Sequence, residues 1–596
     1  MGAWLDSRHL RETKVVSKIF GSHRHQLGLM AVAVGLVCNA AWAQSSAGAP
    51  PNIGTVLQTV PPVMPQRAED QPAVDAAGMA AKRNVPAGGP KVLVKGFTLQ
   101  GNTSLSTDVL MVGLKPFENR ELTIEEIGEA ADTVRDRYRN AGLFLAQAFV
   151  PSQEIADGVV RIRILEGSIG KVTPKLAPGL RVTESQVNGY LSLLPPGSTV
   201  TEQSVERPLL LLSDLPATKV HSVLKPGADI GSADLEVEVS PDGRVFSGSV
   251  YLDNYGEVNT GDVRLGADIE SRGLLGVGEV VSVSLFKARN LTTVGRIGAT
   301  FPVGGLGTKL SFGVTDLAYK VGGAFESLKA KGDGLVTSAL VQHPLIRSRN
   351  LNVLLLGGLD YKRVNDIPSA GSASLERRIT TVRLGVGGDF RDDLAGGALN
   401  SYSAALVSGN NKFTSPVNLA NDQSDSGDKT AGSFSKLQFE YLRLQSLASL
   451  LTESDSLYLS LRGQISLSQN LDGTEKVALG GPRGVRAYPV GAVSGDDVTV
   501  ATVEIRHRLG GFRPMGGNMI FSGFVDGGHA KLYHSPGTLH SVGNIRTLGA
   551  AGVGVSVVKK DDFELRLDVA RQIGSRDFQG TDNKQTRAWG LLQKWF

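Results

Sequence analysis

Beyond Val245 apolar residues recur at every second position, and helical spacing is confined to the part of the chain before it. In Leu457–Leu467, Leu457, Leu459, Leu461, Ile465 and Leu467 share one face, and Tyr458, Ser460, Arg462, Gln464 and Ser466 share the other. Phe563, Leu565, Leu567 and Val569 stand against Glu564, Arg566 and Asp568 in the same way. Val281, Val283 and Leu285 alternate with serines, and Leu437, Phe439 and Tyr441 alternate with Lys436, Gln438 and Glu440. One such strand would suit a sandwich or a propeller equally well. Sustained over ~16 strand-like runs, an apolar face opposite a charged one predicts a membrane barrel with lipid outside and water inside. Long connections are expected at Gly409–Gly432 and Asn470–Asp497, and a last strand at Thr586–Phe596.

Ahead of the barrel, residues 91–241 read as two tandem α+β units of order β-α-α-β-β. In the first, 91–167, Val92–Leu99 reads as a strand and Leu105–Leu114 as a short helix. Thr123-Ile-Glu-Glu126 is a capping box, in which the threonine hydroxyl accepts an orphan N–H and Glu126 reaches back. The helix it opens sets Ile127, Ala130, Ala131, Val134 and Tyr138 on one face and stops near Gly142. Leu145–Val150 and Val159–Leu165 complete the unit as strands. In the second unit, 168–241, the strand Ile169–Val172 precedes helices over Glu184–Leu194 and Glu202–Asp214, the latter strained by Pro208. Strands at Lys219–Leu224 and Leu235–Val239 close it. Residues 44–90, rich in Ala, Pro, Gly, Ser and Gln, read as a linker, within which Ile53–Val60 could make two helical turns.

Composition narrows the compartment. The single cysteine, Cys38, lies in the apolar run Leu27–Cys38, too short to span a bilayer but suited to a signal-peptide core. Ala41-Trp42-Ala43 supplies an A-x-A cleavage site, so residues 1–43 are expected to be a signal peptide and the mature chain to lack any thiol. Disulfides, cysteine-bound zinc and a cysteine nucleophile are thereby excluded from it. Five basic and two acidic side chains within residues 1–43 account for +3 of the net charge of +4. The remainder is close to neutral and offers no electrostatic case for nucleic acid. Glycine, at 73 of 596 residues, exceeds the usual ~7% and fits many tight turns and bent strands.

Enzyme motifs are absent. The sequence contains no G-x-S-x-G elbow and no G-x-x-x-x-G-K-[ST] loop. His221, His343, His507, His529, His534 and His540 form no H-x-x-x-H pair, so no metal site, cofactor or catalytic residue is expected.

Several segments resemble the outer-membrane transporters of two-partner secretion, the haemolysin secretion/activation type (TpsB). Gly101-Asn-Thr-Ser-Leu105 and Asp157–Gly167 bracket the first unit as in that family, and Leu224–Gly227 with Ala233–Val237 resembles the end of the second. Asp253-Asn-Tyr-Gly256 with Thr260-Gly261 is similar to the family's first barrel hairpin. The resemblance implies a signal peptide, a linker at 44–90 with a short plug helix, two periplasmic POTRA domains (91–167 and 168–241) and a 16-stranded transmembrane β-barrel (245–596). Val485-Arg486-Ala487-Tyr488 resembles the V-R-G-Y tip of a long loop folded back into the barrel, with alanine at 487 where glycine is usual. Phe524-Val-Asp526-Gly-Gly528 resembles the strand motif whose acid meets that arginine. A guanidinium–carboxylate pair makes physical sense there, because a loop in a watery lumen gains little from burial and needs a few strong directional bonds.

The implied function is non-enzymatic. A large partner exoprotein of haemolysin or adhesin type would be captured in the periplasm by the POTRA domains and carried unfolded to the surface of a Gram-negative cell. Capture is expected by strand addition to a sheet edge, with a groove beside Val134 and Tyr138 as the other candidate dock. Other partners implied are the outer-membrane lipid bilayer and, during biogenesis, the barrel-assembly machinery, with Phe596 as an assembly signal. The alternative within the same architecture is a barrel-assembly or insertase protein, which two periplasmic units rather than more argue against. A passive porin would require no such units.

Overall fold

The computed structural model describes residues 50–60, 74–75, 90–155, 157–289, 291–537, 543–574 and 584–596. The expected signal peptide lies outside the described residues, as does most of the linker.

Two short elements precede the first α+β unit: α1 (Ile53–Leu57) and a two-residue strand, β1 (Val74–Asp75). The unit itself runs β2 (Val92–Val94), β3 (Gly96–Gln100), α2 (Thr107–Leu114), β4 (Arg120–Leu122), α3 (Ile124–Asn140), β5 (Gln147–Phe149) and β6 (Val159–Leu165). The single expected strand over Val92–Leu99 is two. β2 pairs with β4 while β3 runs parallel to β6, so the chain changes partner at Lys95. The capping box forms on both sides, Glu126 N–H to Thr123 Oγ1 at 3.2 Å and Thr123 N–H to Glu126 Oε2 at 2.7 Å. Ile127, Ala130, Ala131, Val134 and Tyr138 all point into the core. Val134 and Tyr138 are fully buried there, so neither is open to line a docking groove.

The second unit follows as β7 (Ser168–Leu176), α4 (Glu184–Leu191), α5 (Glu202–Ser213), β8 (Thr218–Pro226) and β9 (Ser232–Pro241). Pro208 is accommodated within α5, where its ring is buried. The sheet order is β1-β8-β9-β7, so the linker residues Val74 and Asp75 pair in parallel with Ser222 and Val223 at its edge.

From Phe246 the chain forms a closed barrel of sixteen antiparallel strands, each paired with the next and the last with the first. They are β10 (Phe246–Asp253), β11 (Arg264–Arg272), β12 (Val280–Ala288), β13 (Thr292–Val303), β14 (Thr308–Lys320), β15 (Lys331–Arg347), β16 (Leu351–Ile367), β17 (Leu375–Asp392), β18 (Ala398–Phe413), β19 (Gly432–Ser446) and β20 (Asp455–Ser466). Two-residue strands β21 (Val477–Ala478) and β22 (Ser494–Gly495) lie in the following loop. β23 (Asp497–Leu509), β24 (Asn518–Lys531), β25 (Ile545–Lys559), β26 (Phe563–Gln572) and β27 (Thr586–Trp595) complete the wall. The expected long loop over Gly409–Gly432 is shorter, because β18 continues to Phe413 and a helix, α6 (Pro416–Gln423), fills part of the rest. Closure removes every exposed strand edge, which is what a sheet in hydrocarbon requires. Large apolar side chains such as Leu285, Ile297 and Leu384 cover the outside. At the closing seam β10 pairs with β27 over Ser249–Asp253, and Gly248 exchanges backbone bonds with Phe596 at 3.1 and 3.0 Å.

The second α+β unit docks on the periplasmic turns. Asp214, just after α5, accepts two bonds from Arg347 at 2.7 and 2.8 Å, and Arg207 donates to the Leu345 and Pro344 carbonyls. A Cβ added to Gly305 would sit 2.1 Å from the Gly189 carbonyl oxygen, so backbone meets backbone where α4 touches the β13–β14 turn.

Candidate functional site

The lumen is filled from two sources, the loop between β20 and β23 and the helix α1. The loop leaves Ser466, turns inward, and is zipped at its neck by β21–β22 pairing. Its tip closes on itself, with Val485 N–H to Leu479 C=O at 2.7 Å and Gly481 N–H to Tyr488 C=O at 3.0 Å. Val485, Arg486, Ala487 and Tyr488 are all buried against the inner wall.

Arg486 is held at every polar atom that can reach the wall. Its Nε and Nη2 donate to Asp526 Oδ2 and Oδ1 at 2.9 and 2.8 Å, and its backbone N–H to Oδ2 at 3.1 Å. Nη1 turns to a second acid, Glu504 Oε2, at 2.8 Å. The guanidinium lies over the Phe524 ring, 3.2 Å from its centroid. Its carbonyl accepts from the Trp589 indole at 2.6 Å. A single residue thus meets β23 through Glu504, β24 through Asp526 and Phe524, and, by its carbonyl, β27 through Trp589. Gly528 permits the approach, since a Cβ there would stand 2.9 Å from Val485 Cγ2 and 3.0 Å from Leu479 Cδ2. The strand alternation explains the placement, because Glu504, Phe524, Asp526 and Gly528 all occupy inward positions.

Val485, Arg486, Tyr488, Phe524, Asp526 and Gly528, singled out from sequence, come together in this one cluster. Phe596 does not belong to it and sits at the seam. Glu504, Thr502 and Trp589 were missed. Thr502 Oγ1 donates to Asp526 at 3.0 Å, and Arg506 to the other oxygen of Glu504 at 2.8 Å. Their period-two spacing on β23 marks them as inward-facing, but an inward charge is ordinarily a solvated wall charge, so spacing alone cannot select a loop contact.

The root of the loop is fastened by a second set of buried charges. Glu475 accepts from Lys362 at 2.6 Å and is bridged to Lys436 at 2.8 Å. Asp472 accepts from Arg377 Nη1 at 2.6 Å, and Arg377 also meets Asp366. Asp366 in turn accepts from the first N–H of α1, at Ile53, at 3.2 Å. Ile53 and Val56 are buried among inward residues of the wall, including Leu317, Tyr319 and Val364. Arg264, paired with Asp253 at 2.7 and 2.8 Å, donates to the Thr59 carbonyl just past the helix. Gln58 donates to the Lys476 carbonyl of the loop at 3.1 Å. Helix and loop therefore pack as one body across the channel. Among the described residues there is no group of His, Cys, Asp and Glu able to hold a metal ion.

Two family descriptions match the chain. That of the haemolysin secretion/activation proteins ShlB/FhaC/HecB matches residues 231–557, more than half of it, and that of the ShlB-type POTRA domain matches residues 92–167. The heme/hemopexin transporter protein HuxB of Haemophilus influenzae strain 86-028NP is 26% identical over 80% of this chain and 82% of its own. The outer membrane transporter CdiB of Dickeya dadantii is 22% identical over 74% and 76%. Among solved structures, CdiB from Escherichia coli superposes with a TM-score of 0.67 at 19% identity, over 87% of this chain and 93% of that one.

Proposed function

We propose a working cycle for this chain, which belongs to the haemolysin secretion/activation protein family ShlB/FhaC/HecB and is an outer-membrane secretion transporter with periplasmic POTRA domains. A large exoprotein, of haemolysin or adhesin type, enters the periplasm unfolded and is recognised by the two α+β units. Its extended segment adds to a sheet edge by main-chain bonds, with alternate side chains read in pockets. The edge of β8 is suited to this: the linker residues Val74 and Asp75 already pair there in parallel, so that edge accepts an added strand.

In the resting state the folded loop and α1 stopper the lumen. Binding of cargo shifts the balance toward a state in which the plug leaves and the loop gives way. The cargo then passes as an extended chain and folds outside, and its folding makes return unfavourable. The observation that carries this reading is the Arg486 lock, with two acids, an aromatic face and an indole converging on one loop residue. Removing one partner of a buried pair leaves a charge uncompensated and costs about 3–5 kcal/mol, enough to free the tip of the loop from the wall while its root stays fastened. Arg486→Ala is therefore expected to assemble as a barrel, with normal heat-modifiable mobility, yet to export little cargo. Parental cargo levels at the surface in that variant would remove the lock from the cycle.

A further inference from the structure

One charged cluster lies on the outside of the barrel and plays no part in the lumen. Along β19, Tyr441, Arg443 and Gln445 continue the outward alternation of Leu437 and Phe439. The ladder sets Arg443 beside Asn400 of β18, which lies beside Phe390 of β17. Arg443 donates to Asp392 through both terminal nitrogens, at 2.7 and 3.0 Å, and to Asn400 Oδ1 at 2.9 Å. Asn400 donates to Asp392 at 2.7 Å, and the Tyr441 hydroxyl donates to Asn400 at 2.8 Å. Gln445, one step nearer the periplasm and buried, donates to the Leu394 and Gly397 carbonyls at 2.9 and 3.0 Å. That bond folds the β17–β18 turn against the outer side of β19. Beyond the cluster the turns end in leucines, with Leu394 70% and Leu451 62% exposed.

The wall ends differently at the β25–β26 turn. The β25–β26 turn carries Lys559 and Asp562; Asp562 pairs with Lys559 and with Lys594 of β27, and the two lysine side chains stay 45% and 61% exposed, with ammonium donors open to solvent. Charges that meet hydrocarbon must be paired with their donors used up, whereas charges that meet water can stay open. Apolar turn tips beyond a sealed polar cluster gain free energy only if they too are covered.

We propose that the corner made by the periplasmic ends of β17–β20 is immersed in the periplasmic leaflet, its leucine-tipped turns reaching the acyl-chain boundary of a phospholipid bilayer, while the β25–β26 turn stands in water. The occupant is lipid and not cargo for two reasons: the surface is continuous with the lipid-facing wall, and Gln445 ties the turn outward, away from the mouth. This corner lies one turn along from the β15–β16 connection where Arg347 meets Asp214 after α5. Immersion there braces the barrel next to the place where the periplasmic units press on it.

The test uses the full chain carrying Cys38→Ser, with one cysteine added as Leu451→Cys or Lys560→Cys and labelled with an environment-sensitive fluorophore. The protein is placed in phosphatidylethanolamine nanodiscs in which part of the lipid is brominated high on its acyl chains. The Leu451 label should lose at least about half its emission to the brominated lipid, and the Lys560 label little. Equal quenching of the two, or a Leu451 label that responds to an added cargo segment and not to brominated lipid, would overturn the proposal. A second measurement needs no label. Arg443→Met leaves Asp392 unpaired and should lower the folded fraction by at least about twofold, whereas Arg443→Met with Asp392→Leu should restore it. Both variants matching the parent would place the cluster in water and contradict immersion.

Discussion

Arg486 acts through its shape as well as its charge. Two of its guanidinium nitrogens donate to Asp526 and the third to Glu504, a pattern that the single ammonium of lysine cannot reproduce. Arg486→Lys should therefore export less cargo than the parent although net charge is unchanged, and full export by it would reduce the lock to simple attraction. A second carboxylate works far from the lumen. Glu166, closing the first unit, accepts from the backbone N–H and hydroxyl of Ser104 at 2.7 Å each, from the Thr103 N–H at 2.6 Å, and from the Tyr138 hydroxyl at 2.8 Å. Burial alone would raise its pKa, but the bonds from Ser104, Thr103 and Tyr138 outweigh burial and hold it at about 2. Unfolded, the group titrates near ~4.3. Its contribution is thus complete above that pH and is lost as pH falls toward about 2. Glu166→Gln should cost the first unit about 2 kcal/mol at neutral pH, seen as faster amide exchange over Gly101–Leu105, and should flatten the loss of protection between these two pH values. Unchanged exchange would show that these bonds contribute nothing.

The motifs around Gly101 and Glu166 could be read from sequence, as could those of Arg486 and Asp526, because local residue strings carry them. Glu504 and Trp589 could not, because only the barrel's register brings them to the loop.

At the scale of elements, α1 is the shortest of the described α-helices. Five residues form no stable helix alone. α1 exists because Asn52 caps it, accepting from Thr55 N–H at 3.2 Å, and because Ile53 and Val56 find a buried bed. A Cβ on Gly491 of the loop would lie 3.9 Å from Thr55 Cβ, close to the ~3.8 Å of a disulfide. Gly491 has a φ of +76°, so cysteine there carries some strain. The pair Thr55→Cys with Gly491→Cys should cross-link under oxidation and block export, and reductant should restore it. Undiminished export with the bond formed would mean that helix and loop need not separate. Another contact joins the second unit to the barrel. Asp214→Arg should weaken docking and export, and Arg347→Asp added to it should recover part of both, because the bidentate pair can re-form in reverse. A double variant no better than the single would deny that this pair matters.

Element types were legible wherever periodicity was long, as in Leu457–Leu467 or the helix after Thr123. They were less so where pairing partners decide the outcome. The strand over Val92–Leu99 divides because its two halves serve different sheets, and Gly409–Gly432 holds a helix because Ser415 caps it through a bond from Asn418 N–H. Neither event leaves a period in the sequence.

For the whole molecule, alternation over sixteen strands dictates closure, and closure dictates a lumen. The loop and α1 fill that lumen, and buried charges at both ends of the loop fasten it there. Docking through Asp214 and Arg207 sets the second periplasmic unit at the barrel's mouth, where the proposed recognition of cargo would take place. The most direct test removes residues 91–241 and measures the partner exoprotein on the cell surface, with heat-modifiable mobility as the control for barrel assembly. Cargo should reach the surface with the full chain and fail to do so with the shortened one while its barrel still folds. Undiminished cargo, or a general loss of other outer-membrane barrels in its place, would contradict the account.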